Sequence, residues 1–356
     1  MHMDIFNDDA FSAVTMTRAL EDWEFKPDLI GSLNLFEDVP ISTTGISVER
    51  RGNTLSIIQT SERGAELEEG VTDRRNLRTF ETSRIAKGKT IKASEIQNVR
   101  AFGEESELET MIQYVARYSA KLVGDVELTW ENMMLGAVQG VVYDANGAVI
   151  VDWFSEWSIA APAEVNFALG NDDTDVEKIC RGIIRKMMVA SQGAWTMGTR
   201  VLALCGDNFF DKLTNHKKVR ETYLNTAQAQ TLNRAFGVAT QSALQAGSYA
   251  VFDYGGITFV NYRGVDTFDD GAAKGTRNAI GIGKEKAKFL PVNAPGVFQK
   301  AFAPGEAFDM VNTIGRPLYQ MLIRDEKRNF WVRPEVYSYP LFICTRPDML
   351  ITGKSQ

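Results

Sequence analysis

Acid–base or nucleophilic chemistry near neutral pH most often uses an imidazole. This chain has two, His2 and His216. His2 lies in the acidic stretch MHMDIFNDDAF, and His216 lies in TNHKKVR behind a predicted helix, where a solvated surface position is expected. A Ser-His-Asp or Cys-His device would have to recruit His216, and no G-x-S-x-G nucleophile elbow occurs. Cys180, Cys205 and Cys344 are too few and too widely spaced for a disulfide framework or a zinc cluster. They read as buried thiols of a protein made in a reducing cytoplasm.

Phosphate and cation motifs are equally incomplete. GIGKEKAKF, from Gly281, starts like a glycine-rich phosphate loop but lacks the third glycine and a strand–helix setting, and GAAKGT lacks the G-K-[ST] ending. NDDTDVEK (Asn171–Lys178) lacks the glycine and distal glutamate of a calcium loop. It reads instead as a helix start, with Thr174 and Glu177 as a capping box. Trp23, Trp130, Trp153, Trp157, Trp195 and Trp331 have no surrounding basic cluster and read as core, not as a base-stacking platform. Paired carboxylates for glycoside chemistry cannot be chosen from 46 acids without geometry. No catalytic, cofactor-binding or metal-binding residue emerges, so a non-enzymatic protein is expected.

Composition sets the frame. With 356 residues, about two lobes are expected, and 44% apolar content fits a folded protein. A formal charge of −7 argues against a surface that coats nucleic acid. No window of about 18 apolar residues offers a membrane span, and the acidic N-terminus lacks the basic start of a secretory signal. Charge is segregated: residues 1–45 hold nine acids against two bases, whereas residues 46–100 hold eleven bases against eight acids.

The elements follow from periodicity. Residues 1–45 show a short helical pattern near Phe11–Leu20 and then an extended arm broken by Pro27, Gly31, Pro40 and Gly45. ISVERRGNTLSII predicts two short strands around a Gly52-Asn53 turn. After it comes SERGAELEEGVTDRRNLRTF, a twenty-residue stretch with four apolar anchors, Leu67, Val71, Leu77 and Phe80, too charge-dense to bury itself. The chain returns as extended structure with Gly88 as a turn. Leu108, Met111, Ile112, Val115, Tyr118, Leu122, Val126, Trp130, Met133 and Met134 then form one stripe at three- and four-residue intervals. That predicts a helix over 104–137, about 50 Å long, which Gly124 could bend. Hairpins are expected at Asn146-Gly147 and Gly255-Gly256. Helices are expected after Thr174 and after Asp207 as N-cap, and NFWVRPEVYSYPLFICTRPDMLIT is expected as one long strand. The class is α+β.

Five blocks in order resemble the lambda-type tailed-phage major capsid proteins, the capsid protein E family. They are RTFETSRIAKGKTIKASEIQNVRAFG, MLGAVQGVVYDANGAVIVDWFSEW, VLALCGDNFFDKLTNHKKVRETYL, FLPVNAPGVFQKAFAPGEAFDMVNTIGRPLY and SYPLFICTRPDML. The likeness covers roughly Phe36 to Ile351. Tyr339-Pro340-Leu341 stands where relatives often carry Asn-Pro-Leu. The resemblance implies the tailed-phage capsid fold. It places an N-terminal arm at 1–45 and an extended β-hairpin loop at 46–90. A peripheral domain with a long spine helix takes 91–172 together with the C-terminal strand 334–356, and an axial domain takes 173–333.

It also implies a function. The expectation is a major capsid protein that self-assembles as hexamers and pentamers into an icosahedral procapsid, which expands and encloses double-stranded DNA without sequence-specific binding. No long helical N-terminal extension is present, so a separate scaffolding protein is implied, with a portal protein and a decoration protein at the three-fold axes as further partners. Synthesis and assembly in the host cytoplasm and a final place in the virion follow, with no membrane and no cofactor. In the loop, Arg74, Arg75 and Arg78 are expected to pair with acids of an adjacent copy, Glu66, Glu68 and Glu69 being candidates; pairing within one hairpin is the alternative. Cross-linking through Lys87, Lys89 or Lys92 is conceivable, with no partner nameable. The alternative of the same fold is an encapsulin-like nanocompartment shell.

Overall fold

The computed structural model describes residues 28–51, 75–96, 107–225, 249–262, 281–328 and 330–356. The chain opens with a helical turn, α1 (Leu29–Ser32), then β1 (Glu37–Pro40), β2 (Gly45–Arg51), β3 (Arg75–Glu81), β4 (Ile85–Gly88) and β5 (Ile91–Lys92). A second turn, α2 (Ala93–Ile96), precedes the long α3 (Glu107–Gln139). Next come β6 (Val141–Tyr143), β7 (Val149–Asp152), α4 (Trp153–Glu156), β8 (Val165–Asn166) and α5 (Val176–Ala190). β9 (Arg200–Cys205), α6 (Asp207–Asn215), α7 (Lys217–Asn225), β10 (Val251–Tyr254) and β11 (Ile257–Asn261) follow. The chain then runs through β12 (Lys286–Val292), β13 (Phe298–Phe302), β14 (Tyr319–Arg324), β15 (Trp331–Ser338), β16 (Pro340–Cys344), a 3₁₀ turn (Pro347–Met349) and β17 (Ile351–Lys354).

Three larger sheets carry the body. One is six-stranded, β10-β11-β9-β12-β17-β8; one is four-stranded, β14-β15-β4 with β5 also on β15; one is three-stranded, β1-β13-β16. The expected single C-terminal strand is instead three strands, one in each of these sheets. Pro340 has no N–H to continue a ladder, so the chain changes sheets there after Tyr339. Pro347 opens the 3₁₀ turn that redirects it again. Residues 331–354 thereby stitch the sheets together.

Among the described residues, the two largest hydrophobic clusters divide most of the interior. The first joins α1, the end of α3, Trp153, Trp157, β13 and β16. The second packs α5 and α6 on one face of the six-stranded sheet, where Phe167, Phe209, Phe259 and Phe289 are fully buried. α3 runs unbroken through Gly124, whose Cβ position meets nothing within 4 Å. At its C-terminal end it enters the core, with Met133, Leu135, Ala137 and Val138 all buried. Gly136 is required there, because a Cβ would lie 2.9 Å from the carbonyl oxygen of Val141. Gly140, at φ 95°, reverses the chain into β6.

Local chemistry corrects several expectations. At Asn146-Gly147 only glycine has positive φ, and the Gly147 N–H bonds to the Asp144 carbonyl at 2.9 Å, which makes a longer bulged turn. Gly255-Gly256, at φ 60° and 82°, is the two-residue primed turn. α5 is capped by Asp175, which accepts from the Lys178 N–H at 3.0 Å, while Thr174 bonds back to Ala168. The N-cap of α6 is Gly206, not Asp207. Gly88 is a strand residue opposite Glu335, where any Cβ would crowd the Arg333 and Glu335 side chains at 3.1 Å. The helical pattern at Phe11–Leu20 and the Gly52-Asn53 turn lie outside the described residues.

Candidate assembly surface

β2 and β3 pair with each other, from Gly45↔Glu81 to Arg51↔Arg75, and form a sheet of their own. Alternation gives this ribbon two faces. Ser47 and Thr79 are exposed on one, their hydroxyls 3.0 Å apart, while Ile46, Val48 and Phe80 are buried on the other. Phe80 meets Trp153 edge-on at 5.1 Å and Trp157 at 5.7 Å. Trp157 is fixed in turn by its Nε1–H, which donates to the Cys344 carbonyl at 2.9 Å. Asp152 holds the start of α4 by accepting from the Phe154 and Ser155 amides. The ribbon is therefore gripped by its foot.

Of the loop charges singled out in the sequence, Glu66, Glu68, Glu69 and Arg74 lie outside the described residues. Arg75 opens β3 opposite Arg51. Arg78 reaches Glu156 of its own chain at 3.5 Å and donates to the Ser158 hydroxyl at 3.2 Å, so it braces the foot. Lys87 pairs with Asp125 of α3 at 2.6 Å, and Lys89 sits 3.6 Å from the centre of the Tyr118 ring. These two lysines fasten β4 and the segment after it to the long helix, while Leu122 and Val126 pack that helix against Val336 of β15.

The inner end of the expected arm is also tied down. Leu29 and Ile30 are fully buried, and β1 runs parallel to β13 from Glu37↔Gln299 onward. Glu131 of α3 is 2% exposed. Its two carboxylate oxygens accept from the Ile30 and Gly31 amides at 2.9 and 3.0 Å, and a third bond comes from the Tyr262 hydroxyl. Burial raises the Glu131 carboxyl above its ordinary range, and the two amides partly oppose that. Sequence reading overlooked this residue. Its signal was an acid on the stretch of helix where Met133–Val138 leaves no polar face.

Reactive groups are sealed. His216 is 3% exposed, contrary to the expected surface position, because its ring donates Nε2–H to the Asn171 carbonyl at 3.0 Å behind α6. All three cysteines are buried, and burial pushes the Cys180 thiol up to about 12. Lys288 is 6% exposed, and desolvation lowers it to about 8. Among the described residues no group of three His, Cys, Asp or Glu could hold a metal, and no helix is long and apolar enough to cross a membrane.

A gripped ribbon and a long helix lashed to the sheets suit a building block. The family model "Phage major capsid protein E" matches residues 12–355. The chain belongs to the phage major capsid protein E family. Within it, the major capsid protein of Salmonella phage Felix O1 is 26% identical over 339 residues, covering 90% of each chain. The major capsid protein of Pseudomonas phage KPP10 is 28% identical over 336 residues, covering 92% of each. Among solved structures, the capsid of Cyanophage P-SCSP1u superposes with a TM-score of 0.55 at 12% identity, covering 95% of this chain and 91% of that one. The mature capsid of bacteriophage PhiM1 gives 0.50 at 12% identity, over 100% and 92%. The fold is the tailed-phage capsid fold, as the resemblance implied. This family member is a structural protein of the virion, not an enzyme, and it works by associating with itself.

Proposed function

We propose that copies of this chain assemble as hexamers and pentamers into an icosahedral procapsid, which expands while double-stranded DNA is packaged. In this reading residues 1–45 are the arm, 46–90 the extended loop, 91–172 with 334–356 the peripheral domain, and 173–333 the axial domain. A separate scaffolding protein and a portal assist assembly in the host cytoplasm, and a decoration protein at the three-fold axes is compatible with it. The loop crosses a neighbouring copy, where Arg74, Arg75 and the acids Glu66, Glu68 and Glu69 form inter-subunit pairs; Arg78 can join them at the foot. Each exposed pair contributes only about 0–1 kcal/mol. A closed shell repeats it hundreds of times, and head-to-tail contacts close into rings.

The observation that carries this reading is the β2–β3 ribbon, anchored through Phe80 at one end and bracketing residues 52–74 at the other. Replacing residues 52–74 with an Asn-Gly turn between Arg51 and Arg75 tests it. Folded capsomers without closed shells are expected by negative-stain microscopy, and normal shells would overturn the loop assignment. DNA-filled heads, as against small cages loaded with protein, separate a phage shell from an encapsulin-like one.

A further inference from the structure

We infer that Phe308 is a plug for an apolar cavity on a second copy of this chain, in a reciprocal contact where each copy gives one plug and receives one. The inference rests on the shell reading above and names one of its contacts. Phe308 lies between β13 and β14 on a loop held at several points. The Met310 N–H bonds to the Ala307 carbonyl at 2.8 Å, the Gly315 N–H to the Ile41 carbonyl at 2.9 Å, and the Arg316 N–H to the Tyr319 hydroxyl at 2.8 Å. Glu306 pairs with Arg84 at 2.8 Å, and Met310 packs against Ala303, Tyr319 and Tyr339. This fixed loop nevertheless presents Phe308 at full exposure, with Ile314 at 67% and Val311 at 49%. Single exposed apolar side chains are ordinary, but three within seven residues on one anchored loop mark a contact surface.

The matching cavity measures about 300 Å³ and is walled by Ile30, Phe36, Trp130, Met134, Phe302 and Phe342. Roughly 150 Å³ of such lining holds a benzene ring, so a phenyl side chain fits with room for its stem. Phe302 and Pro317, which flank the loop, also touch the cavity. Plug and socket are thus neighbours on one chain, yet the exposure of Phe308 shows that it does not enter its own socket. Neighbouring complementary patches are what a two-fold contact requires, since residue i meets j while j meets i. The charge on offer is Asp309 and Arg316: exposed Asp309 follows the plug and exposed Arg316 precedes Pro317, whereas Lys300 at the socket is already paired with Asp38 at 3.3 Å. Across a two-fold, each Asp309 approaches Arg316 of the other copy.

The test uses the full chain, expressed with its scaffold, and compares wild type with Phe308→Asp and Phe308→Ala. Unchanged circular dichroism and at least a ten-fold loss of closed shells for Phe308→Asp are expected, with Phe308→Ala intermediate. In parallel, Phe308→Cys chains are mixed with Asp38→Cys chains, Asp38 being at the socket wall, and oxidised. A disulfide-linked dimer is expected in the mixture beyond either variant alone. Wild-type shell yield from Phe308→Asp, or no mixed dimer in assembled particles, would overturn the plug while leaving the shell reading intact. A wild type that never assembles would overturn both.

Discussion

Tyr262 donates its phenolic hydrogen bond to Glu131, 3.1 Å away and 131 residues earlier in the chain. The same carboxylate binds the Ile30 and Gly31 amides. One buried acid thus holds the base of the arm, the long helix and the end of β11 in a single arrangement. A buried charge with three donors is stable as a set and costly when broken.

Glu131→Ala should lower stability by about 2–4 kcal/mol, since it leaves two buried amides and a phenol without an acceptor. In Glu131→Gln one amide of the arm faces an NH₂ group. Hydrogen exchange at Ile30 and Gly31 should then accelerate at least ten-fold, with the Met133–Val138 amides unchanged; equal protection would refute the clasp. The pH dependence has a definite sign. An acid whose folded value is raised binds its proton more tightly in the native state, so its contribution to stability falls as pH rises from the ordinary carboxylate range through the raised value. Glu131→Gln should flatten that part of the curve.

Phe80 and Arg78 separate packing from charge at the loop foot. Phe80→Ala empties the contact with both tryptophans and should cost about 3–5 kcal/mol, the usual range for a buried Phe-to-Ala change. Arg78→Ala removes a pair that is one-third or more exposed on both sides, so less than about 1 kcal/mol is expected. Chemical denaturation of the unassembled chain measures both. A larger loss for Arg78 than for Phe80 would show that the foot is held by charge.

Lys288 is buried, donates to the Thr352 hydroxyl at 3.2 Å and lies 5.9 Å from the centre of the Phe154 ring, and its desolvation outweighs the attraction of Glu164. A base lowered to about 8 binds fewer protons folded than unfolded, so stability should rise between pH 8 and the ordinary lysine value of about 10.4. That rise is on the order of 3 kcal/mol. Lys288→Met should abolish it and stabilise the protein at neutral pH, as isosteric replacement of buried charge often does. Melting temperatures across pH 7–10 decide it, and a wild-type curve that is flat or falling would contradict this account.

The long helix was legible because one apolar stripe, Leu108 to Met134, repeats over about seven turns, and β9 and α6 because strand and helix periods change at Gly206. What escaped the sequence were features set by distant partners. Ser338 and Thr345 look alike to a propensity scale, yet Pro340 and Pro347 send the chain into three sheets, one of which holds β1 (Glu37–Pro40), far earlier in the chain than β16 (Pro340–Cys344). Residues 28–40 read as arm because their apolar positions show no period, while their partners, Glu131, β13 and Phe342, sit elsewhere in the chain. The absence of catalytic motifs was readable, but the burial of His216 was not, since Asn171 reaches it only in three dimensions.

The parallel pairing of β1 with β13 also governs the order of events during synthesis. Glu37 meets Gln299, some 260 residues downstream. At about 5–20 residues per second, a ribosome needs roughly ten to fifty seconds to supply that partner. Throughout that interval Leu29, Ile30, Leu35 and Phe36 have emerged without their final covering, a sticky thread in a crowded cell. This strand can therefore settle only after most of the chain has been made.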